Sequence, residues 1–88
     1  GEAPILNSKV VKVSRDLLVS LNGQQLDDIL ELYTKHGVND LETCKAVVRI
    51  LKNENKYISK KAYDFLIDIQ TDDEFIMERL KAYKNFKH

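Results

Sequence analysis

The sequence predicts an all-α fold: a compact bundle of five antiparallel helices, or six if a short helix is added at one end. Three features point there. Apolar residues recur at spacings of three and four in five separate segments, the period of a helix with one buried face. Helix starts and stops punctuate the ends of those segments. Three glycines and one proline in 88 residues are few for the turns of a β-rich domain. A chain of this length has room for one core, so one domain is expected at residues 8–83, with a flexible arm at 1–7 and a frayed tail at 84–88.

The first helix is expected from about Lys9 to Leu21. Val10, Val13, Leu17 and Leu21 share one face with Leu18 beside them, Ser8 is the expected N-cap, and Asn22-Gly23 the stop. The second runs from about Gln25 to His36 on a stripe of Leu26, Ile29, Leu30 and Tyr33. Asp27 and Asp28 are placed in its first turn and Lys35 and His36 in its last, as the helix dipole favours, and Gly37 supplies a left-handed residue after it.

The third helix is expected to open at Asn39, with Asn39-Asp40-Leu41-Glu42 as a variant capping box. Its stripe is Leu41, Cys44, Val48 and Leu51, widened by Val47 and Ile50, and Asn53-Glu54-Asn55 ends it. The fourth spans about Ile58 to Gln70, capped by Asn55 or Ser59, with Ile58, Ala62, Phe65, Leu66 and Ile69 inward. The fifth opens with Thr71-Asp72-Asp73-Glu74, a second capping box, followed by Ile76, Leu80 and Tyr83 inward and Phe75 adjacent. Helices this short are marginal alone, so short links press them onto one another.

Catalytic chemistry is not expected. No HExxH, CxxC, GxGxxG or P-loop occurs, and no catalytic, cofactor-binding or metal-ligating set can be named. His36 sits at a helix end and His88 is the last residue; Asp72-Asp73-Glu74 lacks the alternating oxygens and central glycine of a calcium loop. Cys44, the one cysteine, lies on an apolar stripe as a small hydrophobe, and a lone thiol fits a reducing compartment. No apolar run approaches the roughly 20 residues of a membrane span. Gly1 to Asn7 lacks the basic-then-apolar pattern of a secretory signal. A cytoplasmic location is expected, with the nucleus as the alternative.

Fourteen cations balance fourteen carboxylates, without the basic excess typical of nucleic-acid binders, yet the charges are sorted along the chain. Residues 23–42 hold five carboxylates against Lys35; residues 43–61 hold six cations against Glu54; residues 62–80 hold six carboxylates against Arg79. Sorted blocks on different helices predict opposed patches that steer and register a protein partner. The scattered tyrosines make no stacking platform, although the basic stretch from Lys52 to Lys61 has the charge to grip phosphate.

Several local patterns then resemble one family. They are Arg15-Asp16-Leu17-Leu18, Leu26-Asp27-Asp28-Ile29-Leu30, the turn Gly37-Val38-Asn39-Asp40, Glu54-Asn55, Lys61-Ala62, Leu66-Ile67-Asp68, and Phe75-Ile76 with Leu80. Over residues 8 to 83 they resemble the caspase recruitment domain of the death-fold superfamily. That resemblance implies a death-fold-like bundle acting as an adaptor in apoptotic or innate-immune signalling, by homotypic recruitment of a similar helical domain. It implies an acidic face of Asp27, Asp28, Glu31, Asp40 and Glu42 meeting a basic face of Lys9, Lys12, Arg15, Lys60 and Lys61. Reversing Asp27 and Asp28 to Lys is then expected to abolish capture without unfolding the domain. The stretch from Leu30 to Ile69 also resembles the N-terminal domain shared by transcription elongation factor TFIIS and its relatives, a helical bundle that docks short disordered peptides. That family typically carries a Trp near the end of its fourth helix, and this chain has none. No cofactor and no membrane partner are expected, and self-association is expected on the first resemblance alone.

Overall fold

The computed structural model describes residues 8–86. The expected arm at 1–7, the capping side chain of Ser8 and residues 87–88 of the expected tail lie outside the described residues. Among those described, five α-helices and no strands are found: α1 (Ser8–Leu17), α2 (Gly23–Lys35), α3 (Leu41–Val48), α4 (Lys56–Ile69) and α5 (Glu74–Phe86). Short 3-10 segments extend α1 through Leu18–Ser20 and α3 through Arg49–Lys52. The chain is an all-α bundle. Its last helix continues beyond Tyr83, so residues 84–86 are helical.

Local side chains set the helix ends, in places a residue or two from the expected ones. Asn22 starts α2 as well as ending the preceding segment. Its side chain accepts from the Gln25 N–H at 2.9 Å, and the Gln25 side chain accepts from the Asn22 N–H at 3.0 Å. With Gly23 as the first residue of α2, Asp27 and Asp28 fall in the second turn, where the dipole offers little. Gly37, at φ +65°, closes the helix in the left-handed conformation. Its N–H reaches the Thr34 carbonyl and that of Val38 reaches Tyr33, the paired bonds of a Schellman motif.

The cap of α3 is Asp40 and not Asn39. Its carboxylate accepts from the Thr43 N–H at 3.0 Å and the Thr43 hydroxyl at 2.8 Å, which displaces Glu42 from the reciprocal position. Asn55, not Ser59, caps α4 by accepting from Tyr57 and Ile58. Thr71 accepts from the Asp73 N–H at 3.2 Å and α5 begins at Glu74 itself, so the expected Thr71–Glu74 box is not the start of that helix.

The centre of the molecule is α3, with its 3-10 extension, lying against α4. α1 packs on α3, α2 on α4, and α5 on both α3 and α4. The expected inward faces of α2, α4 and α5 are the observed ones: Leu26, Leu30 and Tyr33; Ile58, Ala62, Phe65 and Leu66; Ile76 and Leu80. Each large aliphatic side chain withdrawn from water contributes about 1.5–3 kcal/mol. In α3, Leu41 is exposed because it is the first helical residue, ahead of the packed turns.

α1 departs from the expectation at Val10, Val13 and Leu17, while Leu21 packs on the core as expected. Val13 is 54% and Leu17 51% exposed, and Val10 is exposed with them, while Val11 and Leu18 enter the core. Both sets obey helical spacing, so apolar periodicity does not separate them. The buried set wins because Ser14 and Arg15 lie beside it. Ser14 bonds to Tyr33, and Arg15 donates to Asp40 at 3.2 Å.

Candidate functional site

The structure brings part of the two expected charged faces together within one molecule, two of the cations meeting three of the carboxylates. Because α4 packs on α2, Lys61 meets the turn-spaced pair Asp27 and Glu31, donating to both, at 2.7 Å to Glu31. Arg15 pairs with Asp40, and Lys60 pairs with Asp64 on its own helix at 3.0 Å. Asp28 accepts from the Gln24 side chain at 3.0 Å. Lys9, Lys12 and Glu42 are exposed, and Glu42 shares a cleft with Arg15, Lys45 and Arg49. Burial alone would lower the pKa of Lys61. The hydrogen bonds and charges of Asp27 and Glu31 outweigh it and hold the ammonium above the usual lysine range.

A different surface offers chemistry that no described partner already satisfies. Between the C-terminal part of α3 and α5 lies an open groove of about 370 Å³. Its apolar wall is Val48, Leu51, Phe75 and Tyr83, and Ala82 lets the two elements approach. Val48 and Leu51 are buried core residues whose outer edges line the groove, and Phe75 is 45% exposed at its mouth.

Local structure places its cations. Residues three apart eclipse one another in a 3-10 helix, so the Arg49–Lys52 segment carries both basic side chains along one edge while Ile50 and Leu51 turn inward. On α5, Phe75, Arg79 and Tyr83 recur at four-residue spacing along the facing side. The Arg79 guanidinium lies over the Phe75 ring, 5.1 Å from its centroid. Tyr83 is braced from behind by the Tyr63 ring, stacked at 4.9 Å. Arg49, Lys52 and Arg79 form no ion pair with any described residue, and no carboxylate lines the groove.

Sequence reasoning missed this site. Its signal was present in the cationic block of residues 43–61, but which of those cations borders an apolar floor depends on α5 arriving from 23 residues away, between Lys52 and Phe75. Only Lys52 of the expected phosphate-gripping stretch lines the groove.

The one thiol is enclosed. Cys44 is buried with its sulfur 3.8 Å from the Asn39 carbonyl; burial, with the charges of Asp40 and Asp73, pushes its thiol up. Among the described residues no group of three His, Cys, Asp or Glu is placed to hold a metal ion, and no helix is long and apolar enough to cross a membrane. Comparison with protein-family models, curated proteins and solved structures finds no match to the chain.

Proposed function

We propose that this chain is a protein-interaction module that docks a short segment of a partner protein in the groove between α3 and α5. The observation that carries this reading is the combination found there: an apolar floor continuous with the core, bordered by three cations that no described carboxylate neutralises. Sites that bind extended segments need apolar area for affinity and a few fixed polar groups for register.

The arrangement of helices supports the same choice. Each of α1, α2 and α3 packs on the helix two places further along the chain, which brings α5 alongside α3 and so forms the groove. Homotypic recruitment through two opposite poles has weaker support. Lys61 and Arg15, meant for the basic face, neutralise Asp27, Glu31 and Asp40 of the acidic one. Reversing Asp27 to Lys sets two ammonium groups together, so that variant reports on folding as much as on binding.

Sedimentation equilibrium at low ionic strength separates the two. A docking module stays monomeric as concentration rises. A mass that climbs steeply with concentration, and falls when salt is added, returns the case to homotypic assembly.

A further inference from the structure

We infer that the segment accepted by the α3–α5 groove is acidic, with one large apolar side chain as its anchor and carboxylates on either side of it. This rests on the docking reading above and adds the chemistry of the occupant. The groove volume, about 370 Å³, lies near the lower end of ligand-binding cavities, enough for an anchor side chain and its neighbour but not for a folded domain or a dinucleotide. Its apolar wall, from Leu51 and Val48 to Phe75, gives an aliphatic or aromatic anchor a place to leave water.

The rim selects the flanks. Arg49 and Lys52 stand on the α3 side and Arg79 on the α5 side, so an anchor seated between the helices has a cation within its neighbours' range on both sides. Arg79 is held over the Phe75 ring, which orders the guanidinium before a partner arrives and lowers the ordering cost of binding. A basic segment meets like charge from three residues at once.

Nucleic acid is the other source of negative charge, and the surroundings oppose it. Asp72, Asp73 and Glu74 come immediately before Phe75 at the end of the groove, and the chain as a whole has no net positive charge. A polyphosphate longer than the groove runs into that acidic cluster. A short segment, with its charges grouped round one anchor, does not.

The test uses twelve-residue fluorescent peptides with a central Phe or Leu flanked by Asp and Glu, by Ser and Gln, or by Lys, together with a single-stranded oligonucleotide. Anisotropy gives affinity, and amide shifts in the 15N-labelled full chain give the site. The acidic peptides are expected to bind at Val48–Lys52 and Phe75–Tyr83. They should lose about tenfold in affinity in the double variant Arg49→Gln, Arg79→Gln, since each exposed charge contact is worth up to about fivefold. Circular dichroism checks that the variant is folded, and Lys52→Gln supplies a second, independent loss. Equal binding of neutral and acidic peptides at the groove overturns the acidic assignment and leaves the docking reading standing. Failure of every peptide to shift groove residues overturns the docking reading itself. An oligonucleotide that binds the groove more tightly than the acidic peptides overturns the choice of protein as partner.

Discussion

The buried hydroxyl of Tyr33 on α2 is hydrogen-bonded to the hydroxyl of Ser14 on α1. Ser14 has one proton and donates it to the Val11 carbonyl at 3.0 Å, so Tyr33 is the donor between them. Burial raises the Tyr33 hydroxyl above its ordinary pKa, and donating to Ser14 likewise favours the protonated form. Ser14→Ala strands a buried donor and is expected to cost about 1–3 kcal/mol, while Tyr33→Phe removes donor and need together and costs about 0.5–1.5 kcal/mol. The double variant should be close to Tyr33→Phe alone. Urea unfolding of all four proteins checks this, and strictly additive losses would rule out the coupling.

Lys61 has its folded-state pKa raised through Asp27 and Glu31, so folding favours its protonated form. The stability it contributes is complete below the unfolded lysine value, about 10.4, and is lost as pH climbs from there through the folded value. Lys61→Met leaves Asp27, only 20% exposed, facing an apolar chain. The expected loss is about 1–2 kcal/mol, between the range of exposed pairs and that of buried ones. The difference in stability between wild type and variant should be flat from pH 7 to about 10 and shrink above. A difference that grows with alkalinity contradicts the assignment.

The two apolar faces of α1 make opposite forecasts. Leu18→Ala, at a fully packed site, should cost about 2–4 kcal/mol. Replacing Val13 and Leu17 by Gln, on the exposed face, should change stability by no more than about 0.5 kcal/mol each. Thermal unfolding ranks the variants, and the reverse order would mean that α1 docks on its other side.

Gly37 and Gln70 end α2 and α4 in the same left-handed conformation, at φ +65° and +58°, but only one of them is a glycine. A side chain there costs about 1–2 kcal/mol, and glycine loses about 0.5–1 kcal/mol through its freer unfolded state. Gln70→Gly should therefore stabilise by about 0.5–1 kcal/mol. Gly37→Ala, where an added methyl meets nothing within 4 Å, should destabilise by a similar amount through the backbone alone. Guanidinium titrations of both variants decide the matter, and a destabilised Gln70→Gly would assign that side chain a contact of its own.

How far the sequence could be read depended on how unambiguous each helix was. In α2, α4 and α5 the residues at the expected helical spacing are the buried ones, although Ile67, Phe75 and Met77 face outward. In α1, two apolar sets lie about a third of a turn apart, each at helical spacing, and spacing does not choose. Asn39 and Asp40 are both good caps, and the choice fell to the one whose carboxylate also reaches Arg15. Charge blocks gave the sign of each helix but not its neighbours. Asp27 and Glu31, expected to await a partner, pair with Lys61 because α4 lies on α2. The groove is a juxtaposition of segments distant in sequence, and nothing local announces it.

The outward valines and leucine of α1 have one more consequence. At 100° per residue, the set Val10, Val13 and Leu17 is offset from Val11 and Leu18 by about a third of a turn, and the outward set holds one valine more. Greasiness by itself therefore offers the rod two seats and does not favour the one it takes. The Tyr33 hydroxyl and the Asp40 carboxylate act as a keyway that stops it rolling into the other. In this helix the polar contacts choose which structure forms, and the apolar ones only make it worth forming.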